Sequence, residues 1–151
     1  MLFYSGRTHS MGEVHHGNTV TDYMEQERER GITICSSAVR FDWKDHIINL
    51  IDTPGHIDFT MEVEQSLSAV DGAVVVLDAT AGVEAQTITV WLQADRYNLP
   101  RIVYANKMDR NIADFDKCIL GLKNNFSVTP VPLQFPIHTD NHFIGTIVNF
   151  K

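Results

Sequence analysis

The stretch "GAVVVLDATAGVEAQTITVWLQADRYNLPRIVYAN", residues 72–106, decides the fold. It opens on a short continuous apolar run, Gly72 to Asp78, of the kind carried by a strand covered on both faces. From Glu84 to Asn98 the period changes: Ile88, Trp91, Leu92 and Asp95 recur at three-four spacing, and the pattern stops before Pro100. That predicts a helix, with Trp91 in the core. Arg101–Asn106 then repeats the buried-strand pattern. A strand, a helix and a second strand in that order make the two strands parallel neighbours joined by a crossover.

Working outward, "NIADFDKCILGLKNNF" (111–126) places Ile112, Phe115, Ile119, Leu122 and Phe126 on one helical face, so the alternation continues. Upstream, "ICSSAVRFDW" (34–43) and "HIINLID" (46–52) flank the polar pair Lys44 and Asp45 and read as a hairpin. "DFTMEVEQSLSAV" (58–70) follows as a helix, with Asp58 as its N-cap and Phe59, Val63, Leu67 and Val70 inward. After residue 127 the pattern changes. Pro130, Pro132 and Pro136 confine "TPVPLQFPI" to an edge strand, and "NHFIGTIVNFK" reads as one more strand. The fold class is α/β, with a doubly wound, mostly parallel sheet.

Composition bounds the function. At 151 residues, 44% apolar and 21% charged, the chain suits one globular domain, which would bury about 70% of the surface its unfolded chain exposes. Nineteen acids against twelve Lys plus Arg give a net charge of −7, which argues against broad, salt-driven binding to a phosphate backbone. Any nucleic-acid contact is local. Two cysteines, Cys35 and Cys118, make neither a disulfide framework nor a zinc knuckle and read as small buried residues in a reducing compartment. No run approaches the roughly 20 apolar residues of a membrane span. The start "MLFYSGRTHS" reads as too short an apolar stretch for a secretory signal and, with one Arg, as a poor transit peptide, so location is not legible from it.

The chemistry sits at strand ends, where sheets of this kind bind ligands. "DTPGH" (52–56) follows one strand and "NKMD" (106–109) follows another. Asp52 is placed to hold the water shell of a Mg²⁺ ion, which takes one or two protein carboxylates plus waters and phosphate oxygens. Gly55 lets a backbone N–H approach a terminal phosphate. His56, beside that amide, is placed to orient an attacking water. In the second motif Asp109 can accept from both N1–H and the exocyclic amine of guanine, donors that adenine lacks on that edge. Lys107 offers its alkyl stem to the purine face and Asn106 ties the loop to its neighbours. A third piece, "RERGITI" (28–34), offers the hydroxyl and carbonyl of Thr33 to Mg²⁺ and the terminal phosphate, while Glu25, Glu27, Arg28 and Glu29 read as a solvated charged face. Asp52, His56 and Asp58 also permit a metal-dependent hydrolase, but that reading leaves "NKMD" unexplained.

"RERGITI", "DTPGH" and "NKMD", in this order, resemble the second, third and fourth guanine-nucleotide motifs of the translational GTPases, and "GNTVTDYMEQERERGITICSSAVRFDW" (17–43) resembles elongation factor G in particular. "FDWKDHIINLIDTPGHIDFTMEVE" and "GVEAQTITVWLQADRYNLPRI" are most similar to the mitochondrial, ribosome-splitting branch of that family. The resemblance implies a P-loop GTPase fold, with GTP and Mg²⁺ as cofactors. It implies Thr33 and Asp52 as metal contacts, Asp52 through water, and Ile32 as an apolar gate. It also implies Thr53, Pro54, Gly55 and His56 at the terminal phosphate, His56 as catalytic, and Asn106, Lys107, Met108 and Asp109 around guanine. The implied partners are the mitochondrial ribosome and a ribosome recycling factor, with local rRNA contact, no membrane, a monomeric state and a mitochondrial location.

Two family motifs are missing from these residues: G-x-x-x-x-G-K-[ST], the loop that cradles phosphates, and the last guanine-binding motif, which the family carries beyond its G-domain insertion. "MLFYSG" reads as the end of the helix that follows that loop. The expected organisation is therefore a partial G domain over 1–127, without its first strand, and a truncated start of the family's G-domain insertion over 128–151. Three readings stay open at this point: part of a GTPase active in ribosome disassembly, a non-hydrolysing remnant that serves as a binding module, and an elongation factor acting in translocation.

Overall fold

Among the described residues, three two-stranded sheets carry the fold. The computed structural model describes residues 1–9, 21, 24–30, 32–139 and 142–149, and the chain divides into two units, Met1–Val70 and Asp71–Lys151. Gly31 of the 28–34 motif, residues 17–20, 22 and 23 of the resemblance, and Asn141, Phe150 and Lys151 of the last predicted strand lie outside the described residues.

In the first unit, residues 2–7 carry the hydrogen bonds of a helix C-terminus. The Arg7 amide donates to the Leu2 carbonyl and the Gly6 amide to that of Phe3, with Gly6 left-handed at φ 73°. Helix α1 (Glu25–Arg30) precedes the predicted hairpin, β1 (Ser37–Trp43) against β2 (His46–Asp52), which is antiparallel from Ser37↔Asp52 to Trp43↔His46. Its two-residue turn holds Lys44 at φ 52°. A 3₁₀ turn (Ile57–Phe59) leads into α2 (Thr60–Leu67), shorter at both ends than the periodicity predicts. Asp58 is not its N-cap. His56 caps the 3₁₀ turn instead, and Asp58 lies within that turn. The Ser66 hydroxyl reaches that of Ser36 at 3.0 Å and so ties α2 to the start of β1, while Phe41 and Val63 are buried.

In the second unit, β3 (Ala73–Asp78), α3 (Ala85–Arg96), β4 (Arg101–Asn106) and α4 (Phe115–Phe126) realise the strand-helix alternation, with β3 and β4 parallel and in register from Ala73↔Arg101 to Asp78↔Asn106. Glu84 and Thr87 form a capping box at the start of α3. The core gathers Leu77, Ala79, Trp91, Met108, Cys118 and Leu122. Trp91 stacks on Phe126 with ring centroids 4.1 Å apart, and the Arg101 guanidinium covers the indole at 4.5 Å. Trp91 is thus a core residue, as its spacing predicts.

Three expectations change here. The apolar runs of β3 and β4 predict two covered faces; among the described residues, Val75, Leu77, Val103 and Ala105 pack against the second-unit core, whereas Val74, Val76, Ile102 and Tyr104 are half-exposed or more. An apolar run records a capacity for two-sided burial. Helix α4 begins at Phe115 rather than near Asn111, because the Asp114 side chain takes the Lys117 amide at 2.8 Å as N-cap; Ile112 stays in the preceding turns, exposed. Cys35 is half-buried, whereas Cys118 is buried and burial pushes its thiol pKa up. After α4, β5 (Gln134–Thr139) is antiparallel to β6 (His142–Val148), and Pro136 sits in β5, which among the described residues pairs with β6 only.

Candidate functional site

In the first unit Asp52 is the last residue of β2, paired with Ser37 and half-buried. Thr53 and a buried Pro54 turn the chain out of the sheet, since proline has no N–H to continue a ladder. Gly55 is exposed, and a Cβ built on it meets nothing within 4 Å. Its φ is not left-handed, so neither crowding by the described residues nor backbone conformation demands a glycine there. His56 is extended (φ −86°, ψ 142°); its Nδ1 accepts from the Asp58 amide at 3.3 Å and lies 3.3 Å from Asp58 Oδ2. That local clasp fixes the ring while leaving half the side chain exposed.

Ile32 and Thr33, both half-buried, lie between α1 and β1. Their segment is fastened by a residue the sequence reading assigns to a solvated face. Glu27 is completely buried. Its Oε1 accepts from the Ile34 and Cys35 amides at 2.9 and 3.0 Å, its Oε2 from the Met24 amide at 3.0 Å, and its carbonyl from the Ile32 amide at 3.2 Å. A carboxylate leaves water when backbone amides replace its hydration, and charge periodicity along a short helix carries no trace of amides seven and eight residues away.

Among groups that hold a metal, Asp52 and the Thr33 hydroxyl fit Mg²⁺ by chemistry, as hard oxygen donors with a single carboxylate that leaves room for waters. The alternative trio of Asp52, His56 and Asp58 does not form a metal-ligand set, nor does any other group of His, Cys, Asp or Glu among the described residues.

In the second unit the ends of β3 and β4 come together. Asn106 ends β4 with its carbonyl taking the Ala79 amide at 3.0 Å, so the tie to the neighbouring strand is made by its backbone, while its side chain is exposed. Lys107 is left-handed at φ 61°. The turn continues with the Arg110 amide on the Lys107 carbonyl at 3.1 Å, and Met108 is buried in the core as its anchor. Asp109 is exposed and makes no hydrogen bond to another described residue. A cleft of about 460 Å³ is lined by Asp78, Thr80, Lys107, Asp109, Arg110, Asn111 and Ile112.

Asp78 and Thr80 are the residues that sequence reading missed. The signal was available, since Asp78 ends an apolar strand just as Asp52 does. Asp78 Oδ1 accepts from the Thr80 amide at 2.9 Å and hydroxyl at 2.6 Å, and Oδ2 pairs with Lys107 Nζ at 2.6 Å. The lysine and then the threonine bonds hold the Asp78 carboxyl well below the usual carboxylate range.

A sequence profile of the elongation factor Tu GTP binding domain matches residues 1–146. The chain is 70% identical over 141 residues to a Drosophila yakuba protein named "Ribosome-releasing factor 2, mitochondrial", covering 93% of the chain and 20% of that protein. It is 65% identical over 147 residues to the protein of the same name from Culex quinquefasciatus, covering 97% and 20%. A crystal structure of a Thermus thermophilus protein superposes with a TM-score of 0.86 at 29% identity, over 97% of this chain and 22% of that one. The chain therefore spans about a fifth of the length of these relatives.

Proposed function

The chain belongs to the family of the elongation factor Tu GTP binding domain, and from that premise we propose that it is the guanine-nucleotide part of an elongation factor G-type GTPase that disassembles mitochondrial ribosomes. The relatives' names support the mitochondrial ribosome as the place of action and release as the task, over translocation. A recycling factor is the proposed partner, with the domain acting as a monomer through local rRNA contacts. In this reading residues 1–127 form the nucleotide-binding part and 128–151 open an insertion.

The residues divide the chemistry. Asp52 and Thr33 would hold Mg²⁺, which when bound would neutralise charge on the phosphates. The Gly55 amide, with Thr53 and Pro54 shaping its turn, addresses the terminal phosphate. His56 orients the attacking water, with Ile32 as the apolar gate beside it. The clasp from Asp58 limits the ring's freedom before any water arrives, which lowers the entropy of orientation. Asn106, Lys107 and Asp109 read guanine, on a loop anchored by the buried Met108.

The observation that carries the reading is the exposed Asp109 carboxylate, unpaired among the described residues, in the cleft that Lys107 also lines. Titration of the ¹⁵N-labelled chain with GDP and ADP tests it: GDP should shift the Lys107 and Asp109 amides and ADP should not. Asp109→Asn should weaken GDP binding by at least about tenfold and improve binding of xanthosine diphosphate, which carries a carbonyl where guanine carries its amine. Equal responses to GDP and ADP would refute the assignment.

A further inference from the structure

We propose that Asp78 is a positioning residue for guanine recognition, drawing the Lys107 ammonium away from Asp109 so that the Asp109 carboxylate stays free for the base; this inference rests on the guanine reading above. The parallel register sets Asp78 opposite Asn106, so the last residue of β3 adjoins the first residue of the loop. Thr80 occupies Oδ1 with two hydrogen bonds, which fixes the carboxylate and presents Oδ2 to Lys107 Nζ at 2.6 Å. Lys107 and Asp109 are two residues apart on one tight turn and line the same cleft. A flexible ammonium there pairs with the nearest fixed carboxylate, and a pair with Asp109 would occupy the acceptors that guanine needs.

The same contact orders the lysine stem. Its side chain is 52% exposed, so about half of it stays open between the left-handed Lys107 backbone and the pinned ammonium. An apolar stem held at both ends is a platform for a purine face, and its charge is already neutralised. Specificity then arises from a charge arrangement, with Asp78 taking the cation and Asp109 taking guanine's donors. Asp78 touches no base itself.

The test is a double-substitution cycle on the 151-residue chain, read as GDP and ADP affinity from ¹H–¹⁵N spectra at millimolar nucleotide. Asp78→Asn keeps an acceptor for Thr80 and removes the charge; with Lys107 present it should weaken GDP binding about fivefold or more and leave ADP unchanged, since residues in direct contact couple strongly. In the Lys107→Met background, where no ammonium remains to be diverted, the same change should cost less than about twofold. Equal losses in both backgrounds, or no loss in either, would leave Asp78 a structural residue and overturn this inference alone. A wild-type chain that does not prefer GDP would overturn the guanine reading and this inference with it. Should Asp78→Asn fail to fold, Thr80→Val decides: it removes the 2.6 Å hydroxyl bond that fixes Asp78 Oδ1, so GDP binding should weaken about twofold or more with Lys107 present, and an unchanged GDP affinity would overturn this inference.

Discussion

Glu27→Ala should unfold much of the first unit, and the structure sets the magnitude. The wild-type carboxylate is fully buried and accepts from the amides of Met24, Ile34 and Cys35 at 2.9–3.0 Å. A hydrogen bond to a charged group contributes about 1.5–3 kcal/mol net, and a buried donor left without a partner costs about 1–3 kcal/mol. Three such amides give an upper range near 9 kcal/mol, but truncation to alanine opens a space that water can enter and so recover part of it; about 3–5 kcal/mol remains, the range found when one partner of a buried ionic contact is removed. That is a large fraction of the roughly 5–15 kcal/mol that holds a domain folded. Glu27→Gln keeps an acceptor for Ile34 and Cys35 but turns an N–H₂ toward the Met24 amide, so about 2–3 kcal/mol is expected. Urea unfolding followed by circular dichroism gives the total, and hydrogen exchange at the Ile34 and Cys35 amides localises it. Both amides should lose protection in Glu27→Ala while amides of the second-unit core, such as Leu77, keep theirs. A loss under about 1 kcal/mol with unchanged exchange at Ile34 and Cys35 would refute the clamp. The segment it fastens carries Ile32 and Thr33, so the same variant should loosen the proposed Mg²⁺ contact.

Leu77 is 1% exposed at the centre of the second core, so Leu77→Ala should cost about 2–5 kcal/mol by urea unfolding; a loss below about 1 kcal/mol would mean the core refills. Asp78 has a folded pKa below its ordinary value of 3.8, so the unfolded chain binds more protons in that range; its stabilisation is complete above that value and is lost as pH falls toward the folded pKa. Asp78→Asn should therefore flatten the acid limb of stability against pH below about 4, and an unchanged slope would refute the Lys107 contact. The 151 residues lack the phosphate-cradling motif, so calorimetry should find GTP binding weaker than micromolar, each charge-assisted bond missing being worth about a decade or more; a micromolar or tighter constant would refute this.

Sequence alone determined whatever depends on neighbours within a few residues. The change of period across residues 72–106 predicts β3, α3 and β4 because burial on one face of a helix or strand recurs at fixed spacing, and the polar pair Lys44 and Asp45 between two apolar runs gives the hairpin. "DTPGH" and "NKMD" were legible as site candidates because each places acid, glycine or lysine directly after a predicted strand, and strand ends are where such folds bind ligands. What only the tertiary structure decided are contacts set by register and burial over long separations. Glu27 reads as one more charge in "EQERER" until the chain folds back and offers it the amides of Ile34 and Cys35. Asp78 lies 29 residues from Lys107, and nothing local predicts their 2.6 Å pair; it exists because the parallel register sets Asp78 beside Asn106. The half-bare face of Val74, Val76, Ile102 and Tyr104 belongs to the same class: an apolar run shows what a strand can bury, and only the packing of layers determines which side it does.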